Sequence, residues 1–218
     1  MIKAVIFDMD GTLHDTESVF HAAWRKAAAI WDVPDIETTL ADCTGRNMAG
    51  IEKYWCAKYE TPSYEDFFQA RHRFFEEMTA GGIPVMPGAM ELLAYLKKHG
   101  YPMAVATSTR RISAIEHLRD TGMLDFFDVI MTGNDVENGK PAPDIFLRAA
   151  EGLGVEPQYC LGVEDSFNGI RGLYAAGMKP VMVPDVTQPT LEIQRLLWAQ
   201  CGTLTDLIPL LEQQPYAK

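Results

Sequence analysis

Nine residues near the start of the chain, Ala4-Val5-Ile6-Phe7-Asp8-Met9-Asp10-Gly11-Thr12, restrict what it can fold into more than any other stretch. Four apolar residues in a row, two of them β-branched, predict a short strand buried on both faces. Strands of that kind belong to parallel sheets covered by helices. Asp8 closes the strand, Asp10 follows two residues later, and Gly11 lets the backbone turn sharply. Open α/β sheets bind their ligands just past the carboxyl ends of the strands, which is where these two acids fall. Two like charges held there repel unless a divalent cation offsets them, or unless one carboxylate serves as nucleophile and the other as proton carrier. In isolation, a capping Asp followed by a turn Asp reads the same way, so the rest of the chain decides.

Beyond Pro87 helical and apolar segments alternate. Helices are predicted over 90–99, 112–121, 144–153 and 166–176, the first three closed by Gly100, Gly122 and Gly154. Strands are predicted over 103–107, 129–132, 160–163 and 180–183, and terminal helices over 190–199 and 207–211. Such alternation implies right-handed βαβ units, an α/β fold with a doubly wound parallel sheet. The segment between the first strand and this series is different. Asp15 or Thr16 can cap a helix in which Val19, Phe20, Ala23, Trp24, Ala27 and Trp31 recur at helical spacing, with Pro34 as its end. Further helices are predicted over 48–59 and 64–79, and Gly81, Gly82 and Pro84 then break the chain. The expected organisation is a core of residues 1–14 and 85–218 with a small helical bundle, 15–84, inserted after the first strand. The aromatics of that bundle are expected to be its packing.

Three later motifs bear on the chemistry. Val105-Ala106-Thr107-Ser108-Thr109 is a strand ending in hydroxyls just before a helix, and hydroxyls with free N–H groups at a helix start suit an anion, although plain N-capping fits as well. Gly139-Lys140-Pro141-Ala142-Pro143-Asp144 fixes a lysine in a stiff, proline-flanked loop. Leu161-Gly162-Val163-Glu164-Asp165-Ser166 runs a strand into two adjacent acids and a capping serine, and a bound cation is a simple reason to place two acids side by side.

Composition sets outer limits. The chain has 218 residues and a net charge of −11, which argues against a general nucleic-acid binder, since that needs a basic face. It does not argue against an anionic substrate, because a metal and a few lysines or arginines can make one cleft positive. No apolar run approaches the ~20 residues of a membrane span. The first strand starts at Ala4, so no secretory leader is expected, and the cytoplasm is the expected compartment. Cys43, Cys56, Cys160 and Cys201 lack zinc spacing and are expected as free thiols. The five histidines, His14 and His21 included, show no metal-ligand spacing and are expected to be structural or exposed.

In this order, the four motifs resemble those of the haloacid dehalogenase superfamily. The resemblance covers essentially the whole chain and is closest to the β-phosphoglucomutase-like branch, with its sugar-phosphate phosphatases and α-helical cap. It implies a phosphatase that hydrolyses a small phosphorylated metabolite, a sugar or polyol phosphate, through an aspartyl-phosphate. Asp8 would be the nucleophile and Asp10 the general acid/base. Thr107 and the backbone of Ser108 would bind the phosphate, and Lys140 would neutralise nucleophile and phosphate. Mg²⁺ would be held by Asp8, the Asp10 carbonyl and Asp165, with Glu164 either a second ligand or a partner of bound water. The cap would close over the substrate and select its leaving group. Arg46, in the Gly45-Arg46-Asn47 turn, and Arg110 are candidates for that contact, and Arg46 reads equally well as a surface residue.

A phosphoglucomutase is the alternative. The resemblance departs from it in the cap, where the mutase has a His at the place of Phe20 and an Arg at the place of Met48, while His21 is one residue along. Dehalogenation fits less well because Asp10 is the phosphotransferase signature, and phosphonate cleavage because no cap lysine is clearly placed. A metabolite sensor without activity would be favoured by loss of Asp8, Asp10, Lys140 or Asp165, and all four are present. No nucleic-acid or membrane partner is expected. Nothing in the sequence sets the oligomeric state, and a monomer is compatible with it.

Overall fold

The computed structural model describes residues 1–43 and 48–213. The chain divides into two units, Met1–Asp15 with Pro84–Lys218, and Thr16–Ile83. In chain order the elements are β1 (Ala4–Phe7), then α1 (Thr16–Ile30), α2 (Ile36–Cys43), α3 (Met48–Lys58) and α4 (Tyr64–Thr79) of the second unit. The first unit resumes with α5 (Ala89–Lys98), β2 (Met103–Ala106), α6 (Arg111–Asp120), β3 (Val129–Met131), α7 (Asp144–Leu153) and β4 (Cys160–Glu164). It ends with α8 (Phe167–Ala175), β5 (Lys179–Met182), α9 (Leu191–Gln194), β6 (Ala199–Gln200) and α10 (Leu207–Glu212).

The six strands form one parallel sheet in the order β3-β2-β1-β4-β5-β6. All four residues of β1 are buried, as its unbroken apolar run requires. Their side chains alternate between two cores. Val5 and Phe7 pack with Leu92, Leu93 and Leu96 of α5, Leu118 of α6 and Leu207 of α10. Ala4 and Ile6 pack with Phe146 and Ala149 of α7, Ile170 and Leu173 of α8, and Ile193 of α9. This is a Rossmann-like α/β fold with helices on both faces. Pairing of Phe7 with Val105 and with Val163 fixes the site, because it brings the carboxyl ends of β2, β1 and β4 side by side where the strand order switches direction.

The second unit is a helical bundle with an aromatic core. Trp55 stacks on Phe67 with centroids 3.7 Å apart, Trp24 meets Phe67 edge-on at 5.1 Å, and Trp55 Nε1 donates to the Pro62 carbonyl at 3.1 Å. Ala27, Leu40 and Ile51 fill the remaining space.

Two elements differ from expectation. Helix α2 is absent from the sequence reading because it is eight residues long, carries two threonines, and buries only Thr39, Leu40 and Cys43, too little for a visible apolar stripe. The helix expected over 190–199 stops at Gln194, and the chain extends into β6. There Trp198 N–H donates to the Pro180 carbonyl and Cys201 N–H to the Met182 carbonyl, so pairing with the sheet edge overrides the helical pattern of Leu196, Leu197 and Trp198.

Candidate active site

Asp8 leaves β1 with its backbone N–H donating to the Val163 carbonyl at 2.9 Å, which anchors it to β4. Its carboxylate is 7% exposed and faces Lys140, whose Nζ donates to Asp8 Oδ1 and, at 2.7 Å, to Glu164 Oε1. The lysine is itself buried, with its ammonium 5.0 Å from the centre of the Phe146 ring. Glu164, the last residue of β4, is 1% exposed and has both oxygens engaged. Its Oε2 accepts from the Ser166 N–H and Oγ, both at 2.8 Å. Ser166 Oγ in turn accepts from Gly169 N–H and caps α8. A Cβ at position 169 would fall 1.7 Å from Glu164 Oε1, so a glycine in the first turn of α8 is what leaves room for this carboxylate.

Asp165 lies beside the turn after β1. Thr12 Oγ1 donates to its Oδ1 at 2.9 Å, and Gly11, at φ +78°, brings its backbone so close that a Cβ would sit 2.5 Å from Asp165 Oδ2. Positive φ and this close approach both exclude a larger residue. Asp10 is held from β2. Thr109 Oγ1 donates to its Oδ2 at 2.6 Å and Thr107 Oγ1 at 3.4 Å, while Thr109 N–H donates to Thr107 Oγ1 at 3.0 Å.

The electrostatics follow from crowding acids in a dry place. Burial pushes the Asp8 carboxyl up to about 7 against the pull of Lys140, and Glu164 and Asp10 add to the rise. Burial also holds Asp165 well above the carboxylate range, with Glu164 and Asp8 reinforcing it and Thr12 and Lys140 opposing. The ammonium of Lys140 is raised by Asp8 and Glu164 against its own desolvation, so it stays charged. Three carboxylates therefore share one cation. Asp8, Glu164 and Asp165 each offer an oxygen within 4.8 Å of the others, a hard-oxygen set with surplus negative charge that fits a divalent cation such as Mg²⁺.

Of the residues singled out in the sequence, Asp8, Asp10, Thr107, Lys140, Glu164 and Asp165 converge at the carboxyl ends of β1, β2 and β4. Ser108 is exposed in the turn before α6. Arg110 is exposed at the N-cap of α6, and its side chain makes no ion pair among the described residues. Arg46 lies outside the described residues. Three further residues belong to the arrangement: Thr12, Thr109 and Gly169 hold Asp165, hold Asp10 and make room for Glu164. The sequence offers a hint only for Thr109, one of three consecutive hydroxyls. His14, four residues past Asp10, is fully buried; its Nε2 meets Thr121 Oγ1 at 3.0 Å, and burial lowers its pKa to about 4.

The chain is similar to known proteins in sequence and in fold. A profile of haloacid dehalogenase-like hydrolases matches residues 2–177. The protein CbbY of Rhodobacter capsulatus is 35% identical over 84% of this chain and 86% of its own length. A phosphorylated carbohydrates phosphatase of Thermotoga maritima is 33% identical over 83% of this chain and 84% of its own. Among solved structures, a hydrolase of this type from Deinococcus radiodurans, with bound phosphate and sodium, superposes with a TM-score of 0.84 at 26% identity, covering 97% of this chain and 96% of that one.

Proposed function

This chain belongs to the haloacid dehalogenase-like hydrolase family, and from that premise we propose that it is a Mg²⁺-dependent phosphatase of small phosphorylated sugars or polyols. One observation carries the reading: a buried carboxylate at the end of β1, locked to a buried lysine, with a second carboxylate two residues on held by hydroxyls.

An Asp8 oxygen attacks phosphorus in line, the bond to the leaving oxygen breaks, and an aspartyl-phosphate forms on Asp8. Asp10 gives its proton to the leaving oxygen and then takes one from the water that attacks the aspartyl-phosphate and releases inorganic phosphate. Thr109 and Thr107 aim the Asp10 carboxylate for both transfers. Lys140 balances charge on Asp8 and on the phosphoryl oxygens, and Thr107 places a hydroxyl at the end of β2 for the same group. Asp8, Asp165 and the Asp10 carbonyl would hold Mg²⁺, while Glu164, engaged by Lys140 and Ser166, orients the lysine. Bound there, the ion would supply positive charge to offset the three carboxylates and the phosphate. The sugar or polyol preference is supported by the phosphatase of Thermotoga maritima, which by name acts on phosphorylated carbohydrates.

Phosphorus NMR of the full chain with a hexose monophosphate is the test. Free sugar and inorganic phosphate are expected with Mg²⁺, nothing with EDTA, and recovery on adding Mg²⁺ but not Ca²⁺, which prefers more ligands at longer distances. Conversion of the 1-phosphate to the 6-phosphate faster than phosphate release, with a hexose bisphosphate present, would make the protein a mutase. Full activity in chelator would sever the acidic cluster from catalysis.

A further inference from the structure

The turn that presents Thr107 and Thr109 departs from what its own sequence favours. Helix α6 starts at Arg111, and its N-cap is Arg110, whose side chain makes no capping bond among the described residues. Arginine has no acceptor to offer an unpaired N–H. Thr109, one residue earlier, does, and threonine is among the preferred N-cap residues. Were the helix to begin at Arg110, Thr109 would be its N-cap. Arg111 would then be the second helical residue, whose N–H a cap hydroxyl accepts. In the structure the Thr109 hydroxyl instead donates to Asp10 Oδ2 at 2.6 Å, and Thr109 N–H donates to Thr107 Oγ1 at 3.0 Å.

The donor that Thr109 gives up is satisfied from another segment. Arg111 N–H donates to Asn134 Oδ1 at 3.0 Å, across 23 positions of sequence. Asn134 lies in a single 3₁₀ turn, Gly133–Asp135, that follows β3. Asp135 closes that turn, its Oδ2 accepting from the Thr132 N–H and Oγ1, both at 2.8 Å. The same oxygen accepts from Arg111 Nη2 at 2.6 Å, and Nη2 also donates to the Ile130 carbonyl at 3.2 Å. Gly133 seats the turn on the loop before α6. Its N–H donates to the Thr109 carbonyl at 3.4 Å, and a Cβ there would fall 2.7 Å from the Ser108 carbonyl oxygen. The backbone and the side chain of Arg111 are thus both held by the same turn, and each contact favours the later helix start.

We propose that Asn134 is a positioning residue for the proton carrier: by capping α6 in place of Thr109, it leaves the Thr109 hydroxyl free to aim Asp10. Asp135 supports it by closing the turn and pinning Arg111. Asn134 is itself exposed and acts only through the start of the helix. A β-branched side chain held at one χ1 serves one of the two roles, so a single exposed hydrogen bond decides between two starts of similar energy. The role of Asp10 rests on the phosphatase reading; the placement of Thr109 does not.

Three-bond NMR couplings to the Thr109 methyl carbon report its χ1 in the full-length protein without substrate. Wild type is expected to hold one rotamer. Asn134→Ala should populate a second, capping rotamer, and Asn134→Asp, which keeps an acceptor at the same place, should restore the first. An unchanged Thr109 rotamer in Asn134→Ala overturns the proposal. The kinetic readout compares two leaving groups. For a hexose monophosphate, whose leaving oxygen needs a proton, kcat/KM should fall about fivefold in Asn134→Ala and recover in Asn134→Asp. For p-nitrophenyl phosphate, whose leaving oxygen needs none, it should stay within about twofold. Equal behaviour of the two substrates overturns the proposal as well. An equal loss means that the whole phosphate-binding turn has shifted, and no loss on either means that Asp10 does not depend on Thr109. If wild type hydrolyses neither compound, the phosphatase reading fails, and the couplings still decide whether Asn134 sets Thr109.

Discussion

The two units handle buried charge in opposite ways. In the sheet unit, Lys140 bonds Asp8 and Glu164, Thr12 bonds Asp165, and the three carboxylates lie within 4.8 Å of one another. In the helical unit, Arg71 has rings on its faces and no acid among the described residues. A closed network of hydrogen-bonded acids and a lysine is preorganised. Ring faces shield a charge without completing its hydrogen bonds. The contrast teaches that one unit closes its buried charges with hydrogen-bond partners while the other shields a single charge with ring faces, and the following experiments bear on that difference.

The largest effect is expected at Asp8. Asp8→Asn keeps the shape and removes the proposed nucleophile, so kcat should fall at least about 10⁴-fold while the circular dichroism spectrum is retained. Turnover near the wild-type rate in the purified variant would take the sheet unit's network out of the chemistry and dissolve the contrast.

The sheet unit has its own unpartnered buried atoms, and His14 tests whether the contrast concerns charge or mere satisfaction. Its Nδ1 lacks a partner, as does Nδ1 of His117, 6.3 Å away between ring centres. Burial, helped by His117 and opposed by Asp10, lowers His14 to about 4 from 6.5. The imidazole is thus neutral in the fold, unlike Arg71. Its folded pKa lies below the unfolded one, so its contribution is complete above pH 6.5 and is lost as pH falls toward 4, because the unfolded chain takes the proton first. The loss should be on the order of 3 kcal/mol, at about 1.4 kcal/mol for each pH decade. Urea unfolding of wild type and His14→Gln across that range measures it, and the variant should show the flatter profile. Parallel profiles would mean that His14 titrates normally and that the sheet unit tolerates a lone buried charge as well.

The same division explains what the sequence discloses. The sheet unit places its chemistry at strand ends, and a strand end is a local event: an apolar run, a polar residue, a turn. Asp8, Thr107 and Glu164 each close such a run, and Lys140 is marked by its prolines, so the fold and most of the site are legible residue by residue. Thr12, Thr109 and Gly169 are harder to read because their roles exist only across the sheet. Thr12 meets Asp165 153 positions away, and Gly169 matters only because Glu164 bends back over α8. In the helical unit the apolar spacing shows α1, α3 and α4, and α2 is lost for want of a stripe. Arg71 is invisible for a different reason. An arginine flanked by Ala70 and His72 on an amphipathic helix reads as a solvated side chain, and only the rings of Phe20 and Phe68 make it buried.

The smallest effect, and the sharpest test of the sheet unit's preorganisation, is expected at Thr109. Asp10 has two hydroxyl donors on one oxygen, and the shorter bond, 2.6 Å, comes from Thr109. Thr109→Val keeps the β-branched shape and removes that donor. Because the remaining bond from Thr107 is 3.4 Å, Asp10 should sample other rotamers and spend less time aimed at the leaving oxygen. A single hydrogen bond to a charged group is worth about 1.5–3 kcal/mol, and part of that should be recovered by water at this half-buried position, so kcat should fall about tenfold. KM should move much less, because Thr109 holds Asp10, the proposed proton carrier, rather than the phosphate. A tenfold loss that appears in KM instead of kcat would show that Thr109 holds substrate, and that Asp10 is aimed by Thr107 alone.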